Sequence, residues 1–113
     1  DRLLMRTVLT SSGFTVSEAD DGSTALPFIC EGEDIDAILL DLRMKEMDGL
    51  ETLRAIRESE ENGALPVVIL TGSQEPDEER QLLEAGADDY LRKPVDPLQL
   101  IARVRAVLRR ARL

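Results

Sequence analysis

The sequence predicts an α/β fold: a doubly wound parallel sheet with helices on both faces, in three layers α/β/α. Three observations carry this. Strand-like and helix-like stretches alternate with short connections. Residues 37–40 (AILL) and 67–70 (VVIL) are apolar throughout, as strands covered on both faces are. The stretches between them place apolar residues three and four apart, the period of a helix.

Residues 2–12 set Leu4, Met5, Val8 and Leu9 on one side of a helix, and Gly13 stops it. "FTVSEA" at 14–19 reads as a short strand and "DDG" at 20–22 as a turn. A helix over 23–31 follows, in which Pro27 fits only near the first turn. "IDAILLD" at 35–41 is the next strand, and a helix over 49–60 turns Leu50, Leu53 and Ile56 inward. "PVVILT" at 66–71 is a third strand, and a helix over 77–85 ends at Gly86. "DDYLRK" at 88–93 is a fourth strand. Asp96 then caps the last helix, Pro97 takes its first position, and Leu98, Ile101, Val104 and Leu108 line one stripe. That makes five helices and four strands, starting with a helix. Doubly wound domains start with a strand, so a first strand is expected ahead of residue 1.

The 113 residues suit one domain. A net charge of −9 gives no attraction for nucleic acid or anionic lipid. The charge is uneven, for Arg103, Arg105, Arg109, Arg110 and Arg112 crowd the end of the chain. Their plain reading is the solvated end of a helix; the sharper one is a contact surface or a connection to a further domain. The single Cys30 excludes a disulfide framework and fits a reducing compartment, with core packing as its plain role. There is no histidine, which removes Ser-His-Asp and Cys-His catalysis, histidine-bound zinc and any phosphohistidine donor role. Apolar runs are too short to span a membrane, and a cytoplasmic location is expected.

In open α/β sheets, ligands sit beyond the carboxyl ends of the strands. Those ends here are Asp41, Thr71 and Lys93. Parallel pairing brings a carboxylate, a hydroxyl and an ammonium to one rim, a set suited to a phosphoryl group. A carboxylate can attack phosphorus to form an acyl phosphate. An ammonium attracts phosphate oxygens, and a hydroxyl can donate one hydrogen bond. Gly72 leaves its backbone N–H open to an approaching oxygen, and a divalent cation would offset the clustered negative charge. Singly, each residue has a duller role: a turn-forming Asp, a β-branched Thr, a solvated Lys before Pro. Together, at three strand ends, they favour the phosphoryl reading.

These residues resemble the receiver domain of bacterial response regulators, similar over essentially the whole chain and in the correct order. "DAILLDLRMKEMDGLETLRAIR" is similar to that family's phosphoacceptor strand, loop and third helix. "LPVVILTGS" is similar to its fourth strand, and "AGADDYLRKPVDPLQLIARVRAVL" to its fifth strand, Lys-Pro turn and final helix. The resemblance implies a flavodoxin-like sheet lacking its first strand here. It makes Asp41 the phosphorylated nucleophile, Lys93 a phosphoryl contact and the Lys93–Pro94 bond cis. It makes Thr71 the switch hydroxyl and Tyr90 the switch aromatic, although Tyr90 alone reads as a half-buried strand residue. The Arg43 backbone carbonyl joins Asp41 as a ligand of Mg²⁺, and Asp48-Gly49 shapes the loop above the site. Two departures stand out: Met44-Lys45 where the family reads Met-Pro, and Pro27 in the second helix. The family's Mg²⁺-binding acidic pair closes its first strand. Asp1 falls after that strand and Asp20-Asp21 is a helix-capping turn, so neither supplies the pair. Without that central strand, two edges are left open to swapping or aggregation.

The expected function is therefore a phosphorylated switch with assisted self-phosphorylation and dephosphorylation, not a turnover enzyme. The expected partners are a sensor histidine kinase and an output read through the face formed by residues 77–112, with a homodimer possible. A second class is a receiver-like scaffold that is never phosphorylated. A third, the aspartate-nucleophile phosphatases, needs an acid two residues after the nucleophile, where this chain has Arg43.

Overall fold

A computed structural model describes residues 2–15, 35–42, 46–58, 64–72 and 76–111. The elements are α1 (Arg2–Ser11), β1 (Ile38–Leu42), α2 (Glu46–Glu58), β2 (Val67–Thr71), α3 (Pro76–Glu84), β3 (Asp89–Arg92) and α4 (Pro97–Ala111). The strands pair in parallel in the order β1-β2-β3, with Ile38 opposite Val67 and Val68 opposite Asp89. A helix lies in each connection, as parallel pairing requires. The strand expected over 14–19, the turn at 20–22 and the helix over 23–31, with Pro27 and Cys30, fall outside the described residues.

The middle strand explains its own composition. Val67, Val68, Ile69 and Leu70 are all essentially inaccessible. Side chains alternate across a strand, so Val67 and Ile69 pack with Leu53 and Ile56 of α2 and Leu82 of α3. Val68 and Leu70 pack with Leu9 of α1 and with Leu100, Val104 and Val107 of α4. Each such side chain contributes about 1.5–3 kcal/mol on burial. A strand between two such layers has no polar face.

Local chemistry sets the helix ends. At Gly13 (φ 97°) and Gly86 (φ 115°) the chain takes the left-handed turn that glycine enters without a Cβ clash. In both turns the next N–H reaches back five residues, Phe14 to the Leu9 carbonyl and Ala87 to the Leu82 carbonyl. An apolar contact closes each motif. Asp96 caps α4 as expected, its Oδ1 accepting from the Leu98 N–H at 3.0 Å.

Two expectations are corrected. The helix expected from residue 49 begins at Glu46, so Asp48-Gly49 lies in its first turn and not in a loop. Acidic residues at 46 and 48 favour that start, because they complement the positive end of the helix dipole. Leu98 is 78% exposed. At 100° per residue it points away from Leu100, and the buried stripe is Leu100, Val104 and Val107, flanked by Leu108.

The amino end of β2 is tied by one arginine. Arg57 of α2 donates to the Leu65 carbonyl and twice to the Gly86 carbonyl, at 2.9 and 2.6 Å. It also donates to Asp88 Oδ2 at 2.9 Å, and that same oxygen accepts from the Val67 N–H at 2.8 Å. The Asp88 N–H returns a bond to the Val67 carbonyl. One guanidinium thus joins the end of α2, the entry to β2 and the turn after α3.

Candidate functional site

All three strands run the same way, so their carboxyl ends share one edge of the sheet. Asp41 stands level with Leu70, one residue before the level of Leu42 and Thr71. Thr71 stands level with Arg92, and the next residue, Lys93, donates its backbone N–H to the Thr71 carbonyl at 2.7 Å. Adjacent strands lie about 4.8 Å apart. The positions of Asp41, Thr71 and Lys93 are therefore neighbours along one rim. Arg43 falls outside the described residues.

Thr71 ends the buried strand and is itself 2% exposed. Its hydroxyl donates to Oε1 of Glu78 at 2.5 Å. Glu78 is buried as well. It is the third residue of α3, after Pro76 and Asp77, where the helix dipole favours a carboxylate. Lys93 is half-buried, and the Lys93–Pro94 bond is cis. Gly72 is exposed, with open space where a Cβ would sit. Packing does not demand glycine there, and the backbone is approachable.

Tyr90 stands level with Ile69 and packs half-buried against the α2–α3 side of the core. The Arg92 guanidinium lies over its ring, 5.6 Å from the centroid. Burial pushes the Tyr90 hydroxyl above its ordinary pKa. The nearby Glu79 carboxylate pushes the same way, and the Arg92 charge opposes both. Arg103 of α4 pairs with Asp89 at 3.1 Å, while Arg105, Arg109 and Arg110 are exposed, as a solvated helix end would be.

A cavity of about 470 Å³ opens between α1 and the start of α4, lined by Met5, Val8, Val95, Pro97 and Leu100 with Lys93 at its edge. Its lining is mostly apolar, unlike the polar strand ends. Among the described residues no three Cys, Asp or Glu gather closely enough to hold a metal ion. No helix among them is long and apolar enough to cross a membrane.

One participant was not foreseen in the sequence. Glu78 sits in an acidic run, EPDEE at 75–79, where it looks like a solvated first-turn residue. No local signal separates it from its neighbours.

The response regulator receiver domain family matches residues 2–105. The chain is 42% identical over 109 residues to the response regulator MprA of Mycobacterium ulcerans, covering 96% of this chain and 46% of that protein. It is 40% identical over 108 residues to the transcriptional regulatory protein CpxR of Escherichia coli, covering 96% and 44%. The chain thus spans less than half the length of these relatives. Among solved structures it superimposes on a putative response regulator from Chloroflexus aurantiacus with a TM-score of 0.86, at 31% identity, covering 95% of this chain and 87% of that one.

Proposed function

The chain belongs to the response regulator receiver domain family, the phosphoryl-accepting switch of two-component signalling, and on that premise we propose that Asp41 is its phosphoacceptor. A carboxylate oxygen of Asp41 attacks the phosphorus of a phosphohistidine on a partner kinase. The P–N bond breaks, the imidazole leaves with its electron pair, and an acyl phosphate forms. The Lys93 ammonium attracts the transferred oxygens, the Thr71 hydroxyl donates to one of them, and the Gly72 N–H lies within approach of another. The observation that carries this reading is the shared strand edge, where Asp41 lies one residue before the end of β1, Thr71 ends β2 and Lys93 directly follows β3.

Mg²⁺ is the cation this chemistry calls for, and it would offset negative charge as the phosphoryl group arrives. The Asp41 carboxylate and the Arg43 carbonyl are the ligands this chain would offer. Mg²⁺ commonly keeps several waters beside one or two carboxylates.

In this reading the new charge at Asp41 draws Thr71 over and Tyr90 inward, and the face formed by residues 77–112 is read by an output domain or a second copy. The name of the CpxR relative supports an output in transcription control. The domain assists gain and loss of its own phosphoryl group but has no separate substrate to turn over. A cytoplasmic location fits a kinase partner of this kind.

The test is intact mass after treatment with a small acyl phosphate and Mg²⁺. One added phosphoryl group is expected, and none in Asp41→Asn. An unmodified wild-type protein would favour the scaffold reading.

A further inference from the structure

We propose that Glu78 is a positioning residue of the switch, an internal acceptor that occupies the Thr71 hydroxyl until a phosphoryl oxygen displaces it. This rests on the reading of Asp41 and Thr71 given above. A threonine hydroxyl has one hydrogen to donate. Here that hydrogen goes to Oε1 of Glu78, inside the protein, between two buried residues. Thr71 cannot donate to a phosphoryl oxygen while it holds this bond. Activation is then an exchange of one acceptor for another, and the Glu78 bond sets part of its cost. A phosphoryl group is charged, and hydrogen bonds to charged groups are the stronger kind, so it can compete for the Thr71 hydrogen.

The experiment uses beryllium fluoride with Mg²⁺ as a phosphoryl mimic. Its affinity is measured for the wild-type protein, E78A, E78Q, T71A and T71A/E78A. E78A is expected to bind the mimic roughly 10-fold more tightly, since the competing acceptor is gone. E78Q keeps the side-chain volume and a neutral acceptor, so it should show a smaller gain, and it serves if E78A does not fold. In the T71A background, E78A should change nothing. Unchanged or weaker binding in both E78A and E78Q overturns the proposal, and so does an equal gain with and without Thr71. If the wild-type protein binds no mimic and gains no phosphoryl mass, the phosphoacceptor reading has failed and this inference falls with it. If the wild-type protein binds and only the Glu78 variants disappoint, the inference alone is lost.

Discussion

Both ends of β2 carry polar groups in partly or fully buried surroundings, and they are held in different ways. At the amino end, one guanidinium serves two carbonyls and a carboxylate, and that carboxylate also takes the Val67 N–H. No donor there need let go for the protein to work. At the carboxyl end, the Thr71 hydroxyl is held by Glu78 on the next helix, and in the receiver reading this bond must break. One end spends its polar chemistry on fixing the fold, and the other keeps its chemistry exchangeable. Open α/β sheets divide their ends in this way because ligands gather beyond the carboxyl ends of the strands.

Separating the two ends by mutation would sharpen this contrast. The largest effect is expected at the carboxyl end. Asp41→Asn should abolish phosphoryl uptake while leaving the melting temperature near that of the wild type. A large loss of stability would mean that this end also holds the fold.

Next comes Arg57→Ala, which strands the carbonyls of Leu65 and Gly86 and loosens Asp88. It should cost about 2–3 kcal/mol, roughly 8–12 °C in Tm by thermal unfolding, with phosphoryl uptake retained in the folded protein. Most of this loss comes from the carbonyl bonds, since the Arg57–Asp88 pair is partly exposed and such pairs contribute little. Lost uptake with Tm unchanged would erase the distinction between the ends.

A smaller effect is expected from Gly86→Ala. The residue has φ 115°, and an added Cβ would sit 2.9–3.0 Å from the Arg57 side chain. About 1–2 kcal/mol should be lost in denaturant unfolding. A neutral result would show that Arg57 can move aside without cost.

The smallest effect tests the carboxyl-end partners. Tyr90 is the one tyrosine in the chain, so phenolate absorbance follows it alone. Its folded pKa lies above the ordinary 10.0. The stability linked to it is therefore fully present below about pH 10 and is lost as pH rises through the raised folded value. Glu79→Gln should lower that folded pKa part of the way, because burial is the larger cause and remains. An unmoved titration would mean that the Glu79 carboxylate does not act on Tyr90.

The sequence by itself determined the order of the described elements, the apolar middle strand, the stops at Gly13 and Gly86, the Asp96 cap and the placing of Asp41, Thr71 and Lys93 at or beside strand ends. These are short-range signals. A buried strand must be apolar, a left-handed turn wants glycine, and parallel strands must end at one edge. The sequence placed Leu98 inward and Asp48-Gly49 in a loop, because a cap that shifts by a residue or two turns a helix face by 100° or more. Only the tertiary structure decided which of the acids at 75–79 meets Thr71, and which arginine of α2 reaches Gly86, 29 residues away. Several glutamates and arginines there are interchangeable in composition. The choice among them depends on how each helix docks on the sheet, and docking is the summed effect of many distant apolar contacts.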